Sequence, residues 1–331
     1  MRQAVIIRGF SKTSVFGKAT LDLVEKPAFK TVFRKPFSKL TEFWKRLIVL
    51  IFLFGNILNL LNAMSWPSEN AALVRNFGVN DSGKPVLGMI FEGETEILAT
   101  GSGEVIFSRT KNDSASRLPS PLGAWTAVDH GDGLISVYSR YSDRSDYLRD
   151  VTYVEREQPI AVSGTSGWSS RDGFFYMLFD RRERRWINPA MIITPVLETR
   201  PPQILSVSLR DTQGFPVQTG NLVQGRYSVN VNIAGGTPPG TPASIQFAPQ
   251  RIICSVNGAE VSTLNFEAVS ARDGVLMVNR NGLVSARQVY ANAPAFEAAE
   301  VFLTRGLVTL EIIVQDITGN SRNVVNRLIV N

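Results

Sequence analysis

Residues 123–141 read GAWTAVDHGDGLISVYSRY, two alternating runs of side chains on either side of a Gly-Asp-Gly turn. The runs extend from Trp125 to His130 and from Leu134 to Arg140. Alternation of apolar and polar residues with a period of two is typical of a strand with one buried face, and glycine supplies the positive φ of a tight turn. The stretch therefore predicts a β-hairpin.

The composition is that of a globular protein with two domains. The chain has 331 residues, of which 44% are hydrophobic and 19% are charged, and this length exceeds that of one ordinary domain. The single cysteine, Cys254, excludes an internal disulfide and is predicted to be a small core residue. The single histidine, His130, cannot form a His-rich zinc site.

Positive charge is concentrated at the start of the chain. Residues 1–46 carry 11 basic and three acidic side chains, whereas the whole chain has a net charge of +6. The remainder is therefore slightly acidic, which removes the electrostatic basis for nucleic-acid binding by the globular part. No nucleic-acid partner is predicted.

An uncharged apolar segment, residues 47–64, follows this basic arm directly. Its length and the preceding Lys45-Arg46 pair are typical of a membrane-inserting segment. Because Ala63 is a small residue that a signal peptidase accepts, the segment is either a transmembrane helix or the core of a signal peptide. Residues 1–46 are then a cytoplasmic arm or an extended signal n-region. A buried core helix is the third interpretation.

Further strands are predicted on both sides of the hairpin. Residues 96–100 and 104–109 predict two strands with a turn at 101–103, and residues 173–180 predict another strand. The polar residues 111–120 predict a loop. Residues 181–186, with four arginines, are interpreted as a charged hairpin turn, and binding of a partner or an anionic glycan is the alternative.

Four segments together resemble the LytM or lysostaphin-type zinc endopeptidases of peptidase family M23, which cut peptidoglycan cross-bridges. The hairpin is similar to the family's V-x-D-H-G-x-G segment, and residues 159–170 are similar to its G-x-x-I-G-x-S-G-x-T-G strand and loop. Pro85, Gly88 and Phe91 match the frame of its R-P-H-x-G-x-D-F motif, and Asn188-Pro189 matches its closing Asn-Pro. The resemblance implies a LytM-type antiparallel β-sheet domain, of duplicated hybrid or barrel-sandwich-like form, at residues 72–195.

The same resemblance shows which functional residues are replaced. Val86, Ile90 and Met177 stand at the family's zinc-ligand positions, and Arg140 and Phe175 stand at its catalytic histidine positions. Aliphatic, aromatic and thioether groups are poor zinc ligands, and arginine cannot act as a base because it remains protonated. The sequence therefore predicts no metal, no cofactor and no catalytic residue at these positions.

A binding groove at the same place is a separate hypothesis. Its candidate residues are His130, Tyr138, Arg140, Tyr141 and Tyr176. If the groove binds a ligand, exposed aromatic side chains, Phe174 included, are expected to line a concave face. If the domain is only a scaffold, Phe175 and Met177 are expected to fill that face as core. His130, between Asp129 and Asp132, is interpreted as a structural turn residue, with a relic or new site as the alternative.

The chain beyond a proline-containing linker predicts a second β domain at residues 201–331. Alternating runs recur around Leu205, Tyr227, Val308 and Leu328, and Asn-Gly and Gly-Asn turn signals separate them. This pattern favours an immunoglobulin-like (Ig-like) antiparallel β-sandwich. The fold class is therefore mainly β, with an N-terminal membrane segment, a LytM-type domain and an Ig-like sandwich.

Three functions follow from these observations. The first is a non-catalytic protein of the bacterial cell envelope, periplasmic or otherwise extracytoplasmic, that binds peptidoglycan or regulates a cell-wall hydrolase. Its expected partners are peptidoglycan, a cell-wall amidase or another envelope protein, together with the membrane through residues 47–64. The second is a zinc metalloendopeptidase that acts on peptidoglycan through a rearranged site around His130. The third is a purely structural envelope scaffold.

Overall fold

The computed structural model describes residues 64–110, 118–145, 147–193, 200–220, 222–234 and 247–331. These residues form antiparallel sheets with very little helix. The strands of the first half are β1 (Ala72–Arg75), β2 (Asn80–Asp81), β3 (Lys84–Pro85), β4 (Met89–Glu92), β5 (Glu96–Leu98), β6 (Gly103–Arg109), β7 (Ala124–Asp129), β8 (Leu134–Tyr141), β9 (Tyr153–Val154), β10 (Pro159–Val162), β11 (Gly173–Asp180) and β12 (Arg185–Ile187). A 3-10 turn, Pro189–Met191, follows β12.

The second half continues the same pattern. Its strands are β13 (Gln203–Arg210), β14 (Pro216–Val217), β15 (Gly225–Ala234), β16 (Arg251–Val256), β17 (Ala259–Arg272), β18 (Val275–Arg280), β19 (Leu283–Ser285), β20 (Phe296–Leu303), β21 (Gly306–Gln315) and β22 (Ser321–Val330). One helical turn, α1 (Ala286–Val289), lies between β19 and β20.

The hairpin predicted at residues 123–141 is confirmed as β7 and β8. The two strands pair from Asp129 opposite Ile135 to Ala124 opposite Tyr141. Gly131, Asp132 and Gly133 all have positive φ, as a tight turn requires. The pairing shifts register near the end of the hairpin, where Trp125 lies opposite Ser139 and Ala124 lies opposite Tyr141. Arg140 is therefore the extra residue of a β-bulge.

The predicted strands at 96–100 and 104–109 exist as β5 and β6, but they do not pair with each other across the predicted turn at 101–103. β5 pairs with β10, and β6 pairs with β7 and β9. The reason lies in the connection between the strands. The backbone of Ala99 exchanges hydrogen bonds with Gln158 and Glu157, so the chain before Gly101 stays with β10, and the chain after Gly101 enters the larger sheet.

Strand β11 is the centre of the larger sheet. It pairs with β8 along one edge and with β4 and then β12 along the other. Six of its eight residues are buried, which requires apolar packing on both faces of the sheet. Phe174, Tyr176 and Leu178 lie in a first core with Phe91. Phe175 and Met177 point to the opposite face and belong to a second core.

The second core extends into the C-terminal half. There, β14, β13, β15 and β20 form one sheet, and β22, β21, β16 and β17 belong to the larger sheet. Alternate residues of both sheets, such as Val229, Val231, Ile312 and Val314, are buried in this common core. The mainly β, antiparallel architecture of the prediction is thus confirmed, and the Ig-like type of this sandwich stays a prediction.

The two halves of the described chain are joined by direct strand pairing. Arg185, Trp186 and Ile187 of β12 lie opposite Ser270, Val269 and Ala268 of β17. The larger sheet, of 14 strands, therefore runs through both halves. All described residues belong to one compact unit. The domain boundaries 72–195 and 201–331 remain predictions.

The predicted membrane or signal segment, residues 47–64, lies outside the described residues except for Met64, and the basic arm 1–46 lies outside them entirely. Met64 is buried and forms a β-bridge with Ile193. Within the described ranges, no helix combines the length and the apolar character that are needed to span a bilayer.

Candidate functional site

The five positions singled out by the resemblance come together on one face of the larger sheet. Phe175 on β11 lies opposite Ile90 on β4 and Ser139 on β8. Met177 follows two residues later on the same face. Val86 follows directly after β3. Its amide donates to the Val79 carbonyl at 3.0 Å, and its carbonyl accepts from the Gly78 amide at 2.8 Å. The fold therefore brings Val86, Ile90, Phe175 and Met177 together as an apolar group, and the Arg140 guanidinium lies 5.0 Å from the centre of the Phe175 ring.

This face is an interior surface. The side chains of Val86, Phe175 and Met177 are at most 9% exposed and belong to the same apolar core as the C-terminal sandwich. Ile90 is partly buried and packs against that core. The expectation that Phe175 and Met177 fill the face as core is thus met.

Polar contacts fix the two halves together beside this face, along a line that we call the seam. Its residues are Asn76, Gly78 and Asn188 from the first half and Ala248, Phe266 and Tyr290 from the second. Asn76 donates to the Ala248 carbonyl and accepts from the Ala248 amide, both at 2.8 Å. The Tyr290 hydroxyl donates to the Gly78 carbonyl at 2.6 Å, and the Asn188 side chain donates to the Phe266 carbonyl at 3.0 Å.

Two glycines keep the backbone close to its neighbours here. A Cβ at Gly88 would overlap the carbonyl oxygen of Tyr176. A Cβ at Gly78, whose φ is +80°, would lie 2.8 Å from the Phe266 ring. Gly88, which matches the glycine of the family's R-P-H-x-G-x-D-F motif, therefore has a packing role, although the residues around it do not suit a metal.

A zinc ion does not fit the side chains of this face. Val86 and Ile90 have no donor atom, and the thioether of Met177 is a soft ligand that zinc rarely uses. In the described part of the chain, no group of three or more His, Cys, Asp or Glu side chains is placed to hold a metal ion.

The groove lined by tyrosines is not present, because all three tyrosines are core residues. Tyr138, Tyr141 and Tyr176 are at most 1% exposed and pack in the first core, together with Phe174. The hydroxyls of Tyr138 and Tyr176 share Thr100 as a partner, at 2.9 and 3.0 Å, and burial raises the pKa of both phenols. These side chains are thus buried and satisfied, and cannot line a surface groove.

His130 has a structural arrangement of hydrogen bonds. Its Nδ1 lies 2.9 Å from the Ser102 carbonyl oxygen, which can only accept, so Nδ1 carries the proton. Its Nε2 lies 2.7 Å from the Ser136 hydroxyl, which donates to it in the neutral ring. Both neighbouring carboxylates are engaged as well, Asp129 with Arg181 at 3.3 Å and Asp132 with Arg182 at 3.0 Å. Neither ring nitrogen is open to a metal or a substrate.

The stability of the protein is expected to fall as His130 takes up a proton. Burial lowers the pKa of His130 from its usual 6.5, and the Ser102 carbonyl and Asp129 oppose this only in part. Between the lowered pKa and about 6.5, the unfolded chain binds more protons than the folded chain, so stability rises with pH in that window. Urea midpoints at pH 5.5 and 7.5 should differ more in the wild type than in a His130→Gln variant. Equal differences in both proteins would contradict this assignment.

The arginine-rich turn predicted at residues 181–186 is confirmed as a hairpin connection between β11 and β12, but the turn itself is residues 181–184, and Arg185 and Trp186 already belong to β12. Arg185 lies 3.6 Å from Asp180, in addition to the two arginine–aspartate pairs named above. Exposed pairs of this kind contribute about 0–1 kcal/mol each. Residues 181–186 therefore direct three of their arginines to neighbouring carboxylates of the same chain.

Arg140 is the candidate that remains at the surface. Its φ is +64°, and its guanidinium lies 5.0 Å from the centre of the Phe175 ring. It borders a cavity of about 220 Å³ whose other charged residues are Arg75, Asp81, Glu92 and Arg171. No sequence pattern predicts that these four residues lie together, because they come from β1, β2, β4 and the loop before β11, and only the tertiary fold brings them into contact with one cavity.

Two protein families match parts of the chain. Peptidase family M23 matches residues 87–189, and a second family, which carries no description, matches residues 201–331. A peptidase M23 (LytM) domain is therefore present. No curated protein matches the chain at a significant level.

Several solved structures are similar to the chain. The structure of the SpoIIQ–SpoIIIAH pore-forming complex has 20% identity and a TM-score of 0.32, over 40% of this chain and 92% of the other. The catalytic domain of the M23 protein EnpA from Enterococcus faecalis has 19% identity and a TM-score of 0.31, over 38% and 95%. Lysostaphin from Staphylococcus simulans has 15% identity and a TM-score of 0.28, over 66% and 83%.

Proposed function

We propose that this chain is a non-catalytic protein of the bacterial cell envelope, whose metal-free M23 domain binds peptidoglycan or regulates a cell-wall hydrolase. The observation that carries the proposal is the packing of Val86 and Met177. These side chains occupy the positions of zinc ligands in the resemblance, and they are buried in an apolar core shared with the C-terminal half. Export by a signal peptide or anchoring by residues 47–64 is part of the same proposal.

The chemistry of peptide hydrolysis supports the non-catalytic part of this proposal. A zinc peptidase needs three nitrogen or oxygen ligands and an open position where water becomes a nucleophile. Here the corresponding side chains are two aliphatic groups and a thioether, and Phe175 stands where a proton carrier is expected. A rearranged site around His130 has no support either, because both ring nitrogens and both neighbouring aspartates have partners within the chain.

A purely structural scaffold is the second candidate, and one observation favours it. The tyrosines expected to line a groove are core residues, and the C-terminal half packs on the face that a family member uses for catalysis. Binding must then use another surface. The charged cavity beside Arg140 is such a surface, and it is our reason for preferring a binding function over a scaffold.

The test uses residues 64–331, purified without added metal. Three quantities are measured on the same sample: zinc per chain, retention on isolated peptidoglycan sacculi, and release of soluble muropeptides. We expect zinc far below one equivalent, no release, and retention on sacculi or on a cell-wall amidase. An active M23 peptidase serves as the control for release.

The possible outcomes separate the three functions. Stoichiometric zinc with released muropeptides would establish a hydrolase and overturn the proposal. If neither sacculi nor the amidase retain the protein, the structural scaffold would be the one function of the three that agrees with the result.

A further inference from the structure

A small cavity at the end of the central hairpin has an unusual balance of charge. Arg75 and Asp81 form an ion pair of 2.9 Å, and Arg171 and Glu92 form another of 3.0 Å. Two of the three arginines around the cavity are thus neutralised by carboxylates of the chain. Arg140 is the third arginine, and it adds one positive charge that neither pair balances.

The guanidinium of Arg140 is held in place without a hydrogen-bond acceptor for its Nε. Nε is buried and has no partner among the described residues. Burial lowers the pKa of Arg140, and nearby Asp81 opposes this effect, although the ion pair of Asp81 is with Arg75. A buried N–H without an acceptor destabilises the folded chain. Because Nε is closed to solvent, a ligand in the cavity must contact the guanidinium through its two terminal nitrogens.

The backbone also directs Arg140 toward the cavity. As the extra residue of the β-bulge, it breaks the alternation of β8, so its side chain does not follow the buried Tyr138 and Tyr141 into the first core. Its positive φ of 64° is unfavourable for a residue with a Cβ. Contact with the Phe175 ring at 5.0 Å restricts the guanidinium further. Bulges and strained residues of this kind occur frequently at binding sites.

From this geometry we propose that the cavity binds the C-terminal carboxylate of a short peptide, with Arg140 as the residue that recognises it. The planar guanidinium offers two parallel N–H groups to a carboxylate. One unbalanced positive charge suits a monoanion, whereas Asp81 and Glu92 repel a phosphate dianion. At about 30 Å³ for each water-sized group, 220 Å³ accommodates a terminal alanine with its carboxylate. Trp168, 79% exposed at the same cavity, offers an apolar surface to the preceding residue.

This inference rests on the proposed function for the source of the peptide, since peptidoglycan stem peptides end in a free carboxylate. The probe is N-acetyl-D-alanyl-D-alanine, and its C-terminal amide is the matched control ligand. Binding to residues 64–331 is followed by isothermal titration and by amide chemical shifts. We expect the acid to bind at least tenfold more tightly than the amide, and inorganic phosphate at equal concentration to leave acid binding unchanged.

Two variants test the role of Arg140. Asparagine tolerates positive φ, so Arg140→Asn removes the guanidinium without adding backbone strain. Arg184→Asn is the matched control, because Arg184 also has a positive φ, of 54°, and lies exposed in the turn after β11. We expect at least a tenfold loss of acid binding in Arg140→Asn and less than a twofold change in Arg184→Asn. Arg140→Lys, which keeps the charge but not the planar fork, should also lose affinity and serves if Arg140→Asn does not fold.

The results that overturn the inference differ from those that overturn the proposed function. Equal binding of acid and amide, no binding of the acid at millimolar concentration, or unchanged binding by both Arg140 variants would refute the carboxylate site. If the wild type and Arg140→Asn are retained equally on sacculi, the proposed function stands and this site is not responsible. If the acid binds through Arg140 but sacculi do not retain the protein, the site stands and the peptidoglycan partner is wrong.

Discussion

Residues 64–193, expressed without the rest of the chain, are expected to lack a stable fold. Separation uncovers Phe77, Val79, Val86, Phe175 and Met177, which now lie in the core shared with the C-terminal half. Each such side chain contributes about 1.5–3 kcal/mol when buried, and together they match the roughly 5–15 kcal/mol of a whole domain. The fragment also loses the pairing of β12 with β17 and the hydrogen bonds of the seam.

The measurement is the dispersion of amide signals in a nitrogen–proton correlation spectrum, together with near-ultraviolet circular dichroism. Residues 64–331 under the same conditions are the control. We expect collapsed dispersion or aggregation of the fragment, and recovery of dispersed signals when residues 200–331 are supplied in the same cell. A fragment that unfolds cooperatively by itself would show that the shared core is dispensable.

Replacement of Met177 by histidine, the residue type that the family resemblance expects at this position, should destabilise the protein strongly. Met177 is 9% exposed and surrounded by apolar side chains, so the imidazole would enter this core without a designed partner. A buried polar group without a hydrogen bond costs roughly 1–3 kcal/mol, and the lost thioether packing adds to this. We expect a total loss of about 2–5 kcal/mol.

Urea unfolding with and without zinc tests this expectation. Met177→Leu, which conserves volume and polarity, is the control and should cost less than about 1.5 kcal/mol. Zinc at tenfold excess should leave the midpoint of Met177→His unchanged, because one histidine among aliphatic groups does not form a zinc site. A zinc-dependent rise of the midpoint would show that this face still accommodates a metal and would contradict the packing argument.

Period-two patterns predicted much of the fold because they report directly on which face of a strand is buried. The hairpin of β7 and β8 and the strands around Leu205, Tyr227, Val308 and Leu328 were found in this way. No period-two pattern predicts the pairing of β12 with β17, since it joins segments about 80 residues apart in the chain. Long-range pairing depends on which edges remain open after local folding, and no local pattern encodes this.

The candidate site was predicted in part. The apolar residues at Val86, Phe175 and Met177 follow from the sequence alone, and the structure brings them together. The burial of Tyr138 and Tyr141 was missed because strict alternation would place Tyr138 on the same face as Arg140. Tyr138 lies opposite Tyr176 and faces the first core with it, and the bulge at Arg140 brings Tyr141 to that same face and directs the arginine to the cavity. A bulge of one residue is difficult to recognise in a sequence that has no glycine at that point.

The core shared between the halves also determines when, during synthesis, the first half can finish folding. Val86, Phe175 and Met177 leave the ribosome before any residue of the strands that cover them. At the usual rate of about 5–20 residues per second, the 131 residues from 201 to 331 take roughly 7–26 s to synthesise. For that interval the nascent first half carries an uncovered apolar face, and a chaperone that assists this protein must act before the C-terminal sandwich has emerged.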